Sequence, residues 1–261
     1  MRREWRRVGL AALAVAFAHL GTVALSSAQT IYVEVGGVRT SFSASITPKA
    51  LPESKRVPIS ARLLSRVRAQ DGTHIPAIRQ ATIGIDRGLT IDARGVPTCG
   101  AGQLESQTTE GVEAACSAAI VGRGTAQLEL ALDGGAPVRA DSRLLAVNGG
   151  IAGPTTTLFV HAYLSAPVTQ AIVVPITLTR LTKGGYGMRA QATFPKIAGG
   201  AGSVARIDLT MRRLVATVAG GKHGYLMARC ADGNLVFEPE VEFESGSRAR
   251  GVLAQGCDRR R

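Results

Sequence analysis

The sequence predicts an all-β chain: β-sandwich-like antiparallel sheets with one short helix near residues 109–118 and two disulfides. Three observations carry that expectation. Apolar and polar residues alternate in run after run, the period of a strand with one buried face. Turn signals such as Gly36-Gly37, Asp71-Gly72, Asp133-Gly134-Gly135 and Asp232-Gly233 separate the runs at short intervals. Four cysteines, Cys99, Cys116, Cys230 and Cys257, fall in two well-separated pairs.

The elements follow in order. Ile31–Val35 and Val38–Ile46 read as strands about Gly36-Gly37, and Pro48–Ser54 as a proline-bearing connection. From Val57 onward Val57, Ile59, Ala61, Leu63 and Val67 alternate with Ser60, Arg62, Arg66 and Arg68, which predicts a strand with one basic face in water. Ile59, Leu63 and Val67 also fit a helical spacing, so a helix is the alternative there. Ala81, Ile83 and Ile85 form a further strand, and Leu89–Ile91 is expected to complete a hairpin with it across Arg87-Gly88.

Glu110–Ala119 is rich in helix formers, with Thr108 or Thr109 as N-cap and Glu110 and Glu113 at the positive end of the helix dipole. A disulfide from Cys116 back to Cys99 would pin that helix to the preceding strand and stabilise the fold by roughly 3 kcal/mol. Leu128, Leu130 and Leu132 mark a strand ending at Asp133-Gly134-Gly135, and Leu144–Val147 another. Thr155–Leu164 and Ala171–Leu181 are rich in β-branched residues, with Pro175 placing the second at an edge or a bulge. The alternation of Ile207–Met211 and Leu214–Val218 changes phase at Arg212-Arg213, which a bulge or tight bend would absorb.

The last fifty residues read as a meander: Tyr225–Cys230, Leu235–Phe243 and Arg248–Leu253. Phe243 must face the core and Arg248 must not, so a three-residue loop with Gly246 left-handed is expected, setting Glu242 opposite Arg248 and Glu240 opposite Arg250. The Glu238–Glu244 row then reads as a solvated face. Gly153-Pro154 is the best internal boundary, near 150–154, but 29–261 is expected to be a single all-β domain.

Residues 1–28 read as a signal peptide: four arginines against one glutamate in the first seven residues, an apolar stretch of 18 residues from Val8 to Leu25, then Ser26-Ser27-Ala28. An uncleaved anchor is the alternative, because the apolar stretch is long. After removal of the signal no transmembrane segment is expected. Export makes two disulfides the natural state of four cysteines, and of three possible pairings 99–116 with 230–257 is the one expected.

The formal charge is +12, and the mature chain keeps +9. Arg outnumbers Lys 26 to 5, a skew that a G+C-rich genome also produces. The balance favours an anionic partner, an envelope polymer or another envelope protein, while export argues against nucleic acid. The candidate docking residues are the row Arg62, Arg66 and Arg68 with Lys55 and Arg56; the plain reading of the same row is a solvated strand face.

The chain carries DGTHIPAIRQATIGID, DARGVPTC, a second Cys followed by AIVGRGTA, then NGG, HAYLSAPV, FPKIAGGAGSV and YLMARCADGNLVFEPEVEFESG. In that order of motifs it resembles a group of exported, β-rich proteins of actinobacteria without an assigned activity. The resemblance implies secretion, a β-rich fold and both cysteine pairs. It implies no catalytic residue or cofactor.

Catalytic signatures are sparse. No His is followed by Glu, no serine has Gly at both −2 and +2, and no Lys precedes Ser or Thr, so zinc-protease, nucleophile-elbow and P-loop patterns are absent. His161, beside Tyr163 and Ser165, is the best single base candidate, and a half-buried, hydrogen-bonded strand histidine is its plain reading. Gly199–Ser203 could nest an anion or be a simple turn. No catalytic, cofactor or metal residue is assigned. The nine aromatics of the mature chain include no Trp, which weakens a carbohydrate-binding reading. The sequence therefore predicts a secreted or envelope-associated, non-enzymatic structural or binding protein, with a carbohydrate- or anionic-polymer-binding module as alternative and a secreted hydrolase behind both.

Overall fold

The alternating runs become strands. A computed structural model describes residues 29–131, 136–218 and 221–260, so the expected signal peptide at 1–28 and the expected turn at Asp133-Gly134-Gly135 lie outside the described residues. β1 (Thr30–Val35) and β2 (Val38–Thr47) form the first hairpin. β3 (Ala50–Pro52) and β4 (Val57–Pro58) are short, and β5 (Ser60–Ala69) returns along β2 over ten residue pairs. β5 is a strand, not the alternative helix: Ile59 and Val67 are buried while Arg62, Arg66 and Arg68 point to solvent. β6 (Ile78–Asp86) and β7 (Leu89–Ile91) precede helix α1 (Thr109–Cys116).

β8 (Ile120–Leu130), β9 (Val138–Ala152), β10 (Thr155–Leu164), β11 (Gln170–Arg180) and β12 (Tyr186–Thr193) pair antiparallel in succession. β13 (Gly202–Met211) inserts between β5 and β8. β14 (Val215–Val218) and β15 (Gly221–Gly224) make a separate hairpin. β16 (Leu226–Ala228), β17 (Asn234–Phe243), β18 (Arg248–Arg250), β19 (Leu253–Gly256) and β20 (Asp258–Arg260) complete the chain.

The main sheet runs β1-β2-β5-β13-β8-β9-β10-β11-β12-β6-β17-β18, with β19 also on β17. Its apolar faces meet in one core, from Phe42 and Ile46 through Leu128, Leu158 and Leu178 to Phe243. The two ends of the sheet lie against each other, because Gly251 leaves room for Ile31 and Val33 of β1. Side sheets β4-β16-β7 and β20-β3 close the flanks, the latter pair being parallel.

A second, smaller core sits on the outer face. Leu104, Val112 and Cys116 pack with Leu145, Val147 and Phe159, so α1 covers β9 and β10. Leu144 and Ala146 face the main core, and β9 is thereby buried on both sides. That is why Leu144–Val147 reads as an unbroken apolar run. Thr108 caps α1 through its Oγ, which accepts from the Gly111 amide at 3.1 Å. Cystines Cys99–Cys116 and Cys230–Cys257 form as expected, with Cα atoms 5.8 and 6.0 Å apart.

Several local expectations are corrected. β7 does not pair with β6: the turn at Arg87-Gly88 carries the chain out of the main sheet, and β7 joins β16. The terminal segment is not a simple meander, because β16 leaves β17 to pair with β4 and β7. Cys230 therefore meets Cys257 where β16 ends beside the β3–β20 pair, and the Cys230 amide donates to Pro52 O at 2.9 Å. Glu242 is buried rather than solvated, paired with Arg79 and, at 3.4 Å, with Arg248.

Other expectations hold. Gly246 has φ 83°, Glu242 opposes Arg248, Glu240 opposes Arg250, and Phe243 is fully buried. Pro175 sits where β11 pairs with β10 alone, since pairing with β12 begins at Ile176. Among the described residues no helix is long and apolar enough to cross a membrane.

Candidate anion-binding site

The outer face of β5 meets those of β13, β8 and β9 through their registers. Arg66 lies opposite Arg206 on β13, and Arg139 on β9 lies opposite Glu129 on β8. A bulge between Val204 and Arg206 lets β13 bend at this point. The result is a cleft of about 470 Å³ lined by Arg66, Arg68, Arg139 and Arg206, with Glu129 and the Gly72-Thr73 turn on one wall.

The expected row divides here. Arg62 is taken out of it by a two-pronged pair with Asp208, at 2.7 and 2.6 Å. Asp208 also accepts from Arg206 at 2.8 Å. The Arg62 hydrogen bonds, then Arg206, hold the Asp208 carboxyl down to about 2 against the opposing effect of burial. Arg66, Arg68 and Arg139 form no ion pair or side-chain hydrogen bond among the described residues, and the Nε of Arg206 is buried without a partner. Arg56 belongs elsewhere: its guanidinium donates to the Gly88 and Arg87 carbonyls. Lys55 is exposed and lines neither of the cavities that hold the arginines. Arg139 and Arg206, missed in the sequence, are the members that turn a row into a cleft. Only strand register brings them to Arg66 and Arg68.

The wall of the cleft holds a second arrangement with no sequence signature. Ser203 Oγ is 3.2 Å from His74 Nε2, and His74 Nδ1 is 3.2 Å from Glu129 Oε1. This is the connectivity of a nucleophile, a base and an orienting acid. The hydroxyl, however, donates to the Ile75 carbonyl at 2.7 Å, and Ser203 is 1% exposed. With its proton directed to Ile75, Oγ accepts from the imidazole instead of donating to it. Glu129 also accepts the Ile75 amide at 3.1 Å. The three side chains thus clamp the 71–77 loop onto the sheet and shape the cleft, and no substrate reaches the hydroxyl.

His161 is fully buried, not half-buried, under the loop before α1. Its Nε2 lies 3.0 Å from Gln107 O, and Nδ1 has no partner. It has no access to solvent and serves packing. At Gly199–Ser203, the Gly200 and Gly202 amides bond Ile197 O and the Ala201 amide bonds Ala198 O, so the segment is a closed turn without free donors for an anion at those amides. Tyr32 is the one large exposed aromatic side chain among the described residues, with Arg39 5.0 Å over its ring. A single ring makes no stacking platform.

No protein-family model, curated protein or solved structure matches the chain.

Proposed function

We propose that the protein is an exported binding protein that docks on an anionic polymer of the cell envelope through the cleft of Arg66, Arg68, Arg139 and Arg206. One observation carries the reading. Four arginines converge on one concavity while the carboxylates beside them are already engaged, Asp208 by Arg62 and Arg206, Glu129 by His74 and the Ile75 amide. Arg66, Arg68 and Arg139 have no internal partner, and such guanidinium groups recognise carboxylate, sulfate or phosphate through paired N–H donors. A cleft open at the surface, lined by arginines from three strands, suits a chain of such groups. The basic, apolar and small-residue segments of 1–28 support export, and two cystines are compatible with it.

The test is retention on heparin-agarose and on vesicles containing an acidic phospholipid at low ionic strength. The double variant Arg66→Gln/Arg68→Gln should lose most of the retention of the parent, roughly tenfold or more in affinity, with an unchanged melting temperature. A variant that binds as well as the parent sinks the reading.

A further inference from the structure

We propose that a second concavity, formed by Arg56, Arg87, Arg180 and Arg229, binds a doubly charged tetrahedral oxyanion: phosphate, sulfate or the terminus of a phosphomonoester. The topology of the small side sheet assembles it. Val57 on β4 and Leu89 on β7 both pair with Ala228 on β16. The next residues along each strand, Arg56, Arg229 and Gly88, therefore come side by side, and the Arg229 amide donates to Gly88 O at 3.0 Å. Arg180 ends β11 close by, and the cavity of about 420 Å³ has Leu89 and Met188 as buried apolar wall.

Four guanidinium groups line this cavity and no carboxylate does. Two of them are held by carbonyls instead of acids. Arg56 donates through Nη2 to Arg87 O at 2.7 Å and through Nε to Gly88 O at 3.3 Å. Arg87 donates through Nε to Gly184 O at 3.2 Å. Carbonyl anchors fix the direction of a guanidinium without neutralising it, and leave its remaining N–H groups free to point into the cavity. Asp86, beside Gly88, is turned away: its oxygens accept from the Gly88 and Val236 amides at 2.6 and 3.1 Å. Arg180 and Arg229 form no ion pair among the described residues, and Arg229 Nε is buried without a partner.

Such crowding of like charge opposes folding unless something relieves it. Burial first, and then the Arg229 and Arg180 charges, hold Arg56 below its ordinary value. A dianion seated among the four offers acceptors to the N–H groups that face the cavity and replaces repulsion by attraction. Phosphate or sulfate fills only part of the cavity. The space left beside Leu89 and Met188 fits a small organic group on the same oxyanion. The cavity shares no lining residue with the cleft of the docking reading, so the two fail or succeed separately.

The experiment is calorimetric titration of the purified protein at low ionic strength with inorganic phosphate, sulfate and glycerol 3-phosphate, and chloride as control. One saturable site is expected for the three oxyanions and none for chloride. Tighter binding of glycerol 3-phosphate identifies a phosphomonoester as the ligand, and equal binding identifies the free oxyanion. Arg180 anchors nothing through its side chain, so Arg180→Gln should keep the parental melting temperature and weaken binding roughly tenfold. Arg180→Glu should abolish binding, and Arg66→Gln/Arg68→Gln should leave it unchanged. Heats that never saturate, that match those of chloride, or that survive in Arg180→Glu overturn the proposal.

Discussion

His161 is a buried side chain whose ring is fixed by one backbone carbonyl. Its Nε2–H donates to Gln107 O, which leaves Nδ1 as a lone pair in a dry site. Protonation would bury a charge and a donor with no acceptor, so burial pushes the group below its ordinary value of 6.5. The unfolded chain binds the proton more readily than the folded one. The contribution of the neutral ring is therefore complete above about pH 6.5 and is lost as the pH falls toward the folded value. The carboxylates of α1, Glu110 and Glu113, are paired with Arg143 and Arg123, and the Arg123 hydrogen bond holds the Glu113 carboxyl below its ordinary value. Urea midpoints measured at pH 7.5 and 5.5 should fall for the parent and stay level for His161→Gln, which keeps a donor for Gln107. An equal fall in both would assign the slope to other groups. Arg62 makes the complementary point: its place in an exposed row suggested a free charge, yet Asp208, far away in sequence, occupies it.

At the scale of elements, α1 is held on the sheet by Val112, by its cap and by Cys99–Cys116, and it shields Leu145 and Val147. The segment leading to Cys99 is tied down independently, since Asn148 Nδ2 donates to the Val96 and Pro97 carbonyls at 3.1 Å each. Replacing both cysteines by serine should cost about 3 kcal/mol through unfolded-state entropy and loosen the helix first. Hydrogen exchange should then rise in 104–119 and along β9 while β2 and β5 stay protected; uniform loss of protection would mean that the cystine supports the whole fold. The helix, its cap, the Cys99–Cys116 pairing and most strands were legible because each depends on near neighbours: a periodicity, a turn or a capping hydroxyl; the Cys230–Cys257 pairing forms as expected, but through the partners of β16 and not within a meander. The partners of β7 and β16 were not. Both are three-residue strands with buried first and third residues, and nothing local says whether such a strand stays in the sheet it came from or crosses to another.

For the molecule as a whole, the decisive question is whether its positive charge acts as a diffuse field or as a site. Only half of the candidate site could be read in the sequence. Arg66 and Arg68 belong to a visible alternation, but Arg139 and Arg206 reach them through pairing across β9, β8 and β13, and Arg56 is drawn away by the turn at Arg87-Gly88. A diffuse field predicts that removing any two exposed arginines weakens polyanion binding alike, because +9 becomes +7 in each case. A site predicts unequal effects. Arg189 and Arg213 are exposed, form no ion pair among the described residues and lie outside the cleft, so Arg189→Gln/Arg213→Gln is the matched control. At 0.1 M salt the screening length is about 10 Å, short enough that distant charges fade while contacts in the cleft persist. On heparin, the control should elute near the parent and Arg66→Gln/Arg68→Gln at clearly lower salt. Asp208→Asn should shift elution the other way, because it releases Arg62 and Arg206 beside the cleft. Equal displacement of the control and the cleft variant would reduce the arginines to net charge alone.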